Sequence, residues 1–265
     1  MPAIQPLIPG RTCPIDYRYG ARALAAPATL CAESLWIAGG LYGNTFAYRR
    51  LEELYAEERG ESALVLNGDF HWFDIADEAF AEIERGVSLH TATRGNVETE
   101  IAQPQVGAGC GCAYPDWVDE MDVARSNRII EQLKETAQRV RGDAAAAALR
   151  TAGVRVFASS HTCLPVLQAF EDAGVIVNNG AAGMPNFEST EYGLATRISV
   201  SPHPLALYRT RLGPLHLEAI PIDYDAAAWR AAFLAQWPEG SDAHASYWRR
   251  ITEGPQYGVA RAVRA

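Results

Sequence analysis

The sequence lacks a long apolar run, a surplus of basic charge and an apolar leader segment. No stretch approaches the roughly 18 consecutive apolar residues that a membrane-spanning helix needs, and we expect no secretory signal peptide. Lysine and arginine number 23 against 32 aspartate and glutamate residues, which gives a formal net charge of -9. General nucleic-acid binders and proteins that dock on anionic membranes carry basic surfaces, so this balance argues against both partners.

Cysteine is also scarce, with five residues, two of which form the short sequence Cys110-Gly111-Cys112. A disulfide scaffold is not expected in a chain of 265 residues without an export signal, and we predict a cytoplasmic protein. The hydrophobic content of 48% excludes disorder and supports a sizeable core. We interpret residues 1–32 as an N-terminal extension broken by prolines, and residues 33–265 as a single domain.

The first part of the chain alternates predicted strands with predicted helices. This order is typical of α/β proteins, in which ligands bind beyond the carboxyl ends of the strands. Asn44 is placed to cap the first helix. The strands are predicted at residues 34–38, 63–66 and 87–91, and the helices at 45–59 and 75–85.

The second part is predicted to be mixed and to end in antiparallel strands and helix. Helices are predicted at residues 123–141, 144–152 and 164–172, and strands at 154–157 and 175–177. Antiparallel strands are predicted at 192–200, 206–212 and 215–222, followed by a helical segment from 225 to the mid-250s.

Several of the predicted strands end in residues that can bind a divalent metal. Asp69 and Asn96 each follow a glycine at a strand end, and His161 follows two serines at a later one. Carboxylate, amide oxygen and imidazole suit a hard or borderline ion. Each short motif alone is also a common turn, so their order along the chain carries the signal.

These motifs, read in order, resemble the calcineurin-like metallophosphoesterase family of the small bacterial and archaeal phosphodiesterase type. The resemblance implies an α/β fold, an α+β four-layer sandwich of two mixed β-sheets packed face to face and flanked by helices. It implies a phosphoester hydrolase whose motif loops gather at one end. The matching segments are residues 40–44, 67–69, 95–98, 160–165 and 177–185.

The departures from the family pattern predict an altered metal site. For the first metal the family uses residues that are replaced here by Gly40, Tyr42 and Cys163, so that only the bridging Asp69 remains. For the second metal, Asp69, Asn96 and His161 are kept, whereas the mid-chain histidine is missing. Two adjacent dications with so few anionic ligands would repel each other. We therefore expect one divalent ion on Asp69, Asn96 and His161.

A substituted ligand set is the alternative. Cys163 and Tyr42 would supply a thiolate and a phenolate, and Cys110 or Cys112 is a further candidate, although both also suit buried apolar positions. Soft ligands would favour zinc or iron over manganese. The cofactor is thus predicted to be one divalent Zn, Fe or Mn ion, or two if these residues replace the lost ligands.

Other candidates concern the substrate. Asn44, His71 and Gly95 are predicted to bind it, and for His71 a solvated position is an equal alternative. Tyr114, Asp116 and Asp119 lie in an irregular loop of a kind that often carries binding residues, and of the two interpretations, binding loop or solvent-exposed loop, we favour the second.

Two functions follow from the sequence. The first is hydrolysis of a small phosphomonoester or phosphodiester, with Asp69, Asn96 and His161 as catalytic residues. The second is a non-catalytic protein with the same fold that binds a small ligand or a protein partner. Assembly into a homo-oligomer is left open.

Overall fold

The computed structural model of the protein describes residues 8–13, 30–102, 108–141, 163–170 and 174–264. In these ranges, strands and helices mostly alternate in the first part of the chain. The second part consists mainly of strands, which are followed by helices. They are β1 (Ser34–Ala38), α1 (Thr45–Ala56), β2 (Ser62–Asn67), α2 (Asp77–Val87), β3 (Thr91–Thr93), α3 (Asn96–Ile101), α4 (Glu120–Arg141), β4 (Val166–Phe170), β5 (Gly174–Asn178), β6 (Gly193–Ser199), β7 (Tyr208–Leu212), β8 (Leu215–Ile222), α5 (Ala226–Gln236), α6 (Asp242–Glu253), α7 (Val259–Ala262) and β9 (Val263–Arg264).

The strands form two mixed sheets. The larger has the order β3-β2-β1-β6-β8-β7, and the smaller has the order β5-β4-β9. Strands β1, β2 and β3 run parallel, whereas β6, β8 and β7 pair antiparallel. In the smaller sheet β4 is antiparallel to β5 and parallel to β9. The predicted α/β class with mixed sheets and helices is confirmed.

The centre of the larger sheet is strongly apolar because β1 lies between β2 and β6. Trp36, Ile37 and Ala38 of this strand are at most 3% exposed. A strand covered on both faces reads as a continuous apolar run rather than an alternating one, which is why this segment was recognisable. Helix α4 packs against α2, α3 and α6, and it buries Ile129, Ile130, Leu133 and Ala137 at helical spacing.

The carboxyl ends of β1 and β2 lead into loops that run side by side. The amide of Gly40 donates to the carbonyl of Gly68 at 3.0 Å, and the amide of Tyr42 donates to the carbonyl of Asp69 at 3.1 Å. Asn44 then caps α1 as predicted, because its side chain accepts from the Ala47 amide. The two loops are therefore held in fixed register at one edge of the sheet.

Most predicted elements in the described ranges are present. The strands at 34–38, 63–66, 175–177, 192–200, 206–212 and 215–222 and the helices at 45–59, 75–85 and 123–141 correspond to observed elements with small shifts at their ends. The strand predicted at 87–91 lies later, as β3, because α2 extends to Val87.

One prediction about the elements is wrong. Residues 164–172 were expected to be helical, but Val166–Phe170 forms β4, which pairs with β5 on one side and β9 on the other. Strand pairing thus overrides the helical preference of leucine, glutamine and alanine. The helical segment predicted from residue 225 to the mid-250s is present, and it consists of two helices, α5 and α6, separated at Pro238. The helix predicted at 144–152 and the strand at 154–157 lie outside the described residues.

The described part of the N-terminal extension packs on the loop before α4. Gly10 donates to the Ala108 carbonyl at 2.7 Å and accepts from the Tyr114 amide at 2.9 Å. The Arg11 guanidinium donates to the carbonyl of Val118 at 2.8 Å. The extension therefore supports a loop that lines the cavity described next. No helix among the described residues combines the length and apolarity needed to cross a membrane.

Candidate functional site

A cavity of about 260 Å³ opens at the carboxyl ends of the parallel strands. Loops that follow β1, β2 and β5, the start of α3, the segments before α4 and β4, and helix α6 all contribute to it. The lining residues are Tyr42, Asp69, Trp72, Asn96, Val97, Cys112, Tyr114, Cys163, Met184, Tyr247 and Arg250.

Asp69 is a buried carboxylate in an unusual backbone conformation. Its φ is 54°, a left-handed value that is uncommon for a residue other than glycine. Its Oδ1 atom is buried and receives no hydrogen bond from any described residue. Burial raises the pKa of the Asp69 carboxyl to about 7, and the charge of Glu98 adds to the rise. The Val97 backbone amide lowers this pKa in part, and the carboxyl still has one oxygen, Oδ1, without a hydrogen bond from a described residue.

Glu98 fastens the loop that carries Asp69 to the loop that precedes α3. Its fully buried carboxylate accepts from the amides of Asp69 at 2.8 Å, Phe70 at 2.8 Å and Gly95 at 2.9 Å. The loops touch so closely that a Cβ at Gly95 would lie 2.2 Å from Asp69 Oδ1. A Cβ at Gly68 would lie 2.7 Å from the Gly95 Cα. Glycine is required at both positions because of this close approach.

The space beside Gly40 is filled by Tyr42. A Cβ built at Gly40 would lie 2.7 Å from the Tyr42 ring, so a carboxylate side chain there has no room. The Tyr42 hydroxyl and the Cys163 thiol share a hydrogen bond of 2.5 Å. Burial raises the pKa of both groups, so both keep their protons near neutral pH. The Tyr42 hydroxyl and the Cys163 thiol are therefore hydrogen-bond partners of each other.

Asn96 connects the site to the two neighbouring cysteines. Its amide nitrogen donates to the Cys110 carbonyl at 2.8 Å, which leaves its oxygen as the atom that can accept or ligate. Cys110 is fully buried, and its backbone amide is held by Asn127. Cys112 lines the cavity, and a hydrogen bond with the Cys110 side chain together with burial raises the pKa of its thiol. The Cys112 thiol is accordingly neutral near pH 7.

The wall opposite Asp69's loop carries hydroxyl groups and a guanidinium. Tyr114 and Ser126 share a hydrogen bond of 3.1 Å, and burial raises the pKa of Tyr114 and Tyr247. Arg250 of α6 donates to the Cys163 carbonyl at 2.8 Å. Tyr114, which the sequence placed in a solvent-exposed loop, lines the cavity instead because its loop folds back against α4.

The structure brings together five of the candidate metal ligands selected from sequence. The cavity is lined by Asp69, Asn96, Tyr42, Cys112 and Cys163. The remaining predicted metal ligand, His161, lies outside the described residues.

The three predicted substrate-binding residues have other contacts. Asn44 is fully buried and donates to the Gly183 carbonyl at 2.9 Å besides capping α1. Gly95 lies directly behind Asp69. His71 is fully buried and contacts Asp74 and Glu84 through its two ring nitrogens, so neither reading of the sequence, cleft wall or solvated residue, describes its position.

No cluster of three or more His, Cys, Asp and Glu side chains suited to a metal ion occurs in the described ranges. A metal site at Asp69 therefore depends on a ligand of another kind, such as the Asn96 amide, or on His161 beyond the described residues.

Sequence reasoning missed Glu98, Tyr247 and Arg250. Glu98 had a signal, since a glutamate three residues after a helix start often accepts from the capping residue's amide. Tyr247 and Arg250 had none, because they lie on an ordinary amphipathic helix far along the chain from the motif loops.

Comparison with known proteins gives a distant structural likeness. No family model matches the sequence, and no curated protein matches it. Among solved structures, the chain is similar to the crystal structure of a metallophosphoesterase from Sphaerobacter thermophilus, with 15% identity and a TM-score of 0.49. The match covers 85% of this chain and 100% of that chain. The function must therefore be argued from this chain's own residues.

Proposed function

We propose that the protein is a phosphoester hydrolase that depends on one divalent transition metal ion, a relative of the calcineurin-like metallophosphoesterases with an altered site. The observation that carries the proposal is the carboxyl of Asp69, which lines the cavity and whose buried Oδ1 has no hydrogen-bond partner among the described residues. An unpartnered buried carboxylate is costly unless it is protonated or compensated by a cation. Its retention at the cavity in this order of motifs favours a cation.

The residues present fit one ion. Asp69 offers a carboxylate, and Asn96 offers an amide oxygen because its nitrogen is already held by the Cys110 carbonyl. These oxygen ligands suit manganese, and the imidazole of His161, the third predicted ligand, extends the choice to zinc or iron. A divalent ion bound there would polarise a phosphoryl oxygen. The protein itself would hold Asp69 in a fixed position, and the aromatic side chains that line the cavity would surround the substrate.

The residues do not fit a second ion in the same way. The Tyr42 ring occupies the space beside Gly40, and its hydroxyl bonds to Cys163. Both groups would have to lose protons and separate before either could act as a ligand, which their raised pKa values oppose. Of the two metal stoichiometries considered, this geometry favours one ion per chain.

The Asp69→Asn variant tests the proposal, because it removes the charge and keeps the shape. We expect the wild type to contain about one zinc, iron or manganese ion per chain by elemental mass spectrometry and to hydrolyse p-nitrophenyl phosphate or bis(p-nitrophenyl) phosphate. The variant should lose both properties. Asp116→Asn, at an exposed loop residue, is the matched control and should retain them. Equal turnover by Asp69→Asn and wild type would refute the assignment.

A second function is favoured by the hydrogen bond between Tyr42 and Cys163, because the two groups bond to each other and not to a metal ion. In that case the cavity binds a small ligand without turnover. The protein would then show a rise in melting temperature with small phosphorylated compounds, no hydrolysis, and no bound metal after incubation with zinc or manganese.

A further inference from the structure

Arg250 is a cation at the cavity wall whose donors are mostly unused. Within the described residues its guanidinium makes one hydrogen bond, from Nη2 to the Cys163 carbonyl at 2.8 Å. Its Nε atom is buried and has no partner there. A guanidinium carries five N–H donors, and leaving a buried donor unsatisfied is unfavourable. The side chain is thus prepared for an acceptor that enters the cavity.

The neighbouring arginine shows that this state is specific to Arg250. Arg249, one position earlier on α6, has a side chain that is 76% exposed, and it pairs with Glu253 at 2.9 Å. The two arginines share a helix and a chemistry, but only Arg250 lines the cavity. Arg249 therefore serves as an internal comparison.

The charges in the cavity indicate an anionic ligand. The positive charge of Arg250 acts on Tyr42 and Cys163, where it opposes the rise in their pKa values. Asp69 would repel an anion unless a cation or a proton neutralises it. With a cation on Asp69, an anion can lie between that cation and Arg250. The planar fork of a guanidinium matches the paired oxygens of a phosphoryl group.

The rest of the wall suits a small organic group. The rings of Trp72 and Tyr247 pack edge to face with centroids 6.3 Å apart, and both line the cavity. The volume of about 260 Å³ lies below the roughly 300–1,000 Å³ that is usual for pockets that take drug-sized ligands. A ligand the size of a single ring or sugar with one phosphoryl group is therefore the appropriate class.

We propose that Arg250 recognises the phosphoryl group of a small phosphoester, while Trp72 and Tyr247 contact its organic part. Binding of the anion requires only that a cation or a proton neutralises Asp69, whereas the assignment of that anion to a substrate rests on the proposed function.

The test is isothermal titration of the full-length chain, as purified, with inorganic phosphate. Loss of a hydrogen-bonded charge should weaken binding about ten- to hundred-fold in Arg250→Gln. Arg250→Lys keeps the charge but loses the fork, so it should fall between that variant and the wild type. Arg249→Gln should bind phosphate as the wild type does. In hydrolysis of p-nitrophenyl phosphate, Arg250→Gln should show a raised KM.

The outcomes separate this proposal from the hydrolase proposal. Unchanged phosphate affinity in Arg250→Gln, or no phosphate binding by the wild type, would overturn the role of Arg250 even if hydrolysis were found. Arginine-dependent phosphate binding without hydrolysis would support the role of Arg250 while the hydrolase proposal failed. Circular dichroism checks that each variant folds, and if Arg250→Gln does not, Arg250→Lys decides the result.

Discussion

Asp69 and His71 are separated by one residue, and both are buried ionisable groups, yet their surroundings differ completely. The Oδ1 of Asp69 has no donor among the described residues. The His71 ring is held by Asp74 at 2.6 Å and Glu84 at 2.8 Å, and it stacks on Phe80 with centroids 3.9 Å apart. Burial alone therefore does not identify a functional group here. Unused hydrogen-bonding capacity beside a cavity does, because a purely structural group satisfies its own polar atoms.

The largest expected effect comes from removing the support behind Asp69. Glu98→Ala leaves the amides of Asp69, Phe70 and Gly95 without their acceptor in a buried setting. We expect the free energy of unfolding to fall by about 3–5 kcal/mol, measured by urea denaturation.

The control for this change is Glu135→Ala, which truncates an exposed glutamate on α4. It should alter the free energy of unfolding by less than about 0.5 kcal/mol. A similar small loss in Glu98→Ala would mean that the two loops hold their register without the carboxylate.

The next effect concerns the His71 cluster and depends on pH. The two carboxylates raise the pKa of His71 to about 9 in the folded protein, against about 6.5 for an unperturbed histidine, although burial opposes them. The charged ring stabilises the folded state fully below about pH 6.5, and this contribution is lost as the pH rises through about 9. The full contribution corresponds to about 3 kcal/mol.

Chemical denaturation between about pH 7.5 and 9.5 measures this loss. The wild type should become less stable across that range, whereas His71→Gln, which does not titrate, should lose most of the slope. His244→Gln, at a half-buried histidine of α6 that stacks on Trp248, should follow the wild type. A wild-type slope that persists in His71→Gln would assign the titration to another group.

The fold was largely predictable because its central strands carry local signals. The segment 34–38 is a continuous apolar run that ends at two glycines. The three antiparallel strands β6, β7 and β8 are separated from one another by turns. Segment 166–170 could not be predicted in this way, since its composition favours a helix and only its pairing with β5 and β9 makes it a strand. The break between α5 and α6 does have a local signal, because Pro238 and Gly240 lie between the two helices.

The site was predictable only where it lies at strand ends. Asp69, Asn96, Tyr42 and Cys163 converge because successive loops at one sheet edge meet, and that follows from the order of motifs. Arg250 enters from a helix near the end of the chain. The position of Arg250 at the cavity depends on which side of α6 faces the cavity. That orientation is set by tertiary packing, which the sequence pattern does not encode.

The smallest effect is expected from Gly95→Ala, which presses directly on Asp69. The new Cβ would lie 2.2 Å from Asp69 Oδ1 and 2.7 Å from Glu98 Oε2, so at least one carboxylate must move. Overpacking of this kind costs about 1–3 kcal/mol. Because the Asp69 carboxylate is displaced, metal content should fall by more than stability alone explains. Gly258→Ala, where nothing lies within 4 Å of the added carbon, should leave both quantities nearly unchanged.

If Gly95→Ala lost stability but kept its metal, the ion would have to bind through atoms other than Asp69 Oδ1, and the contrast between Asp69 and His71 would no longer mark the site.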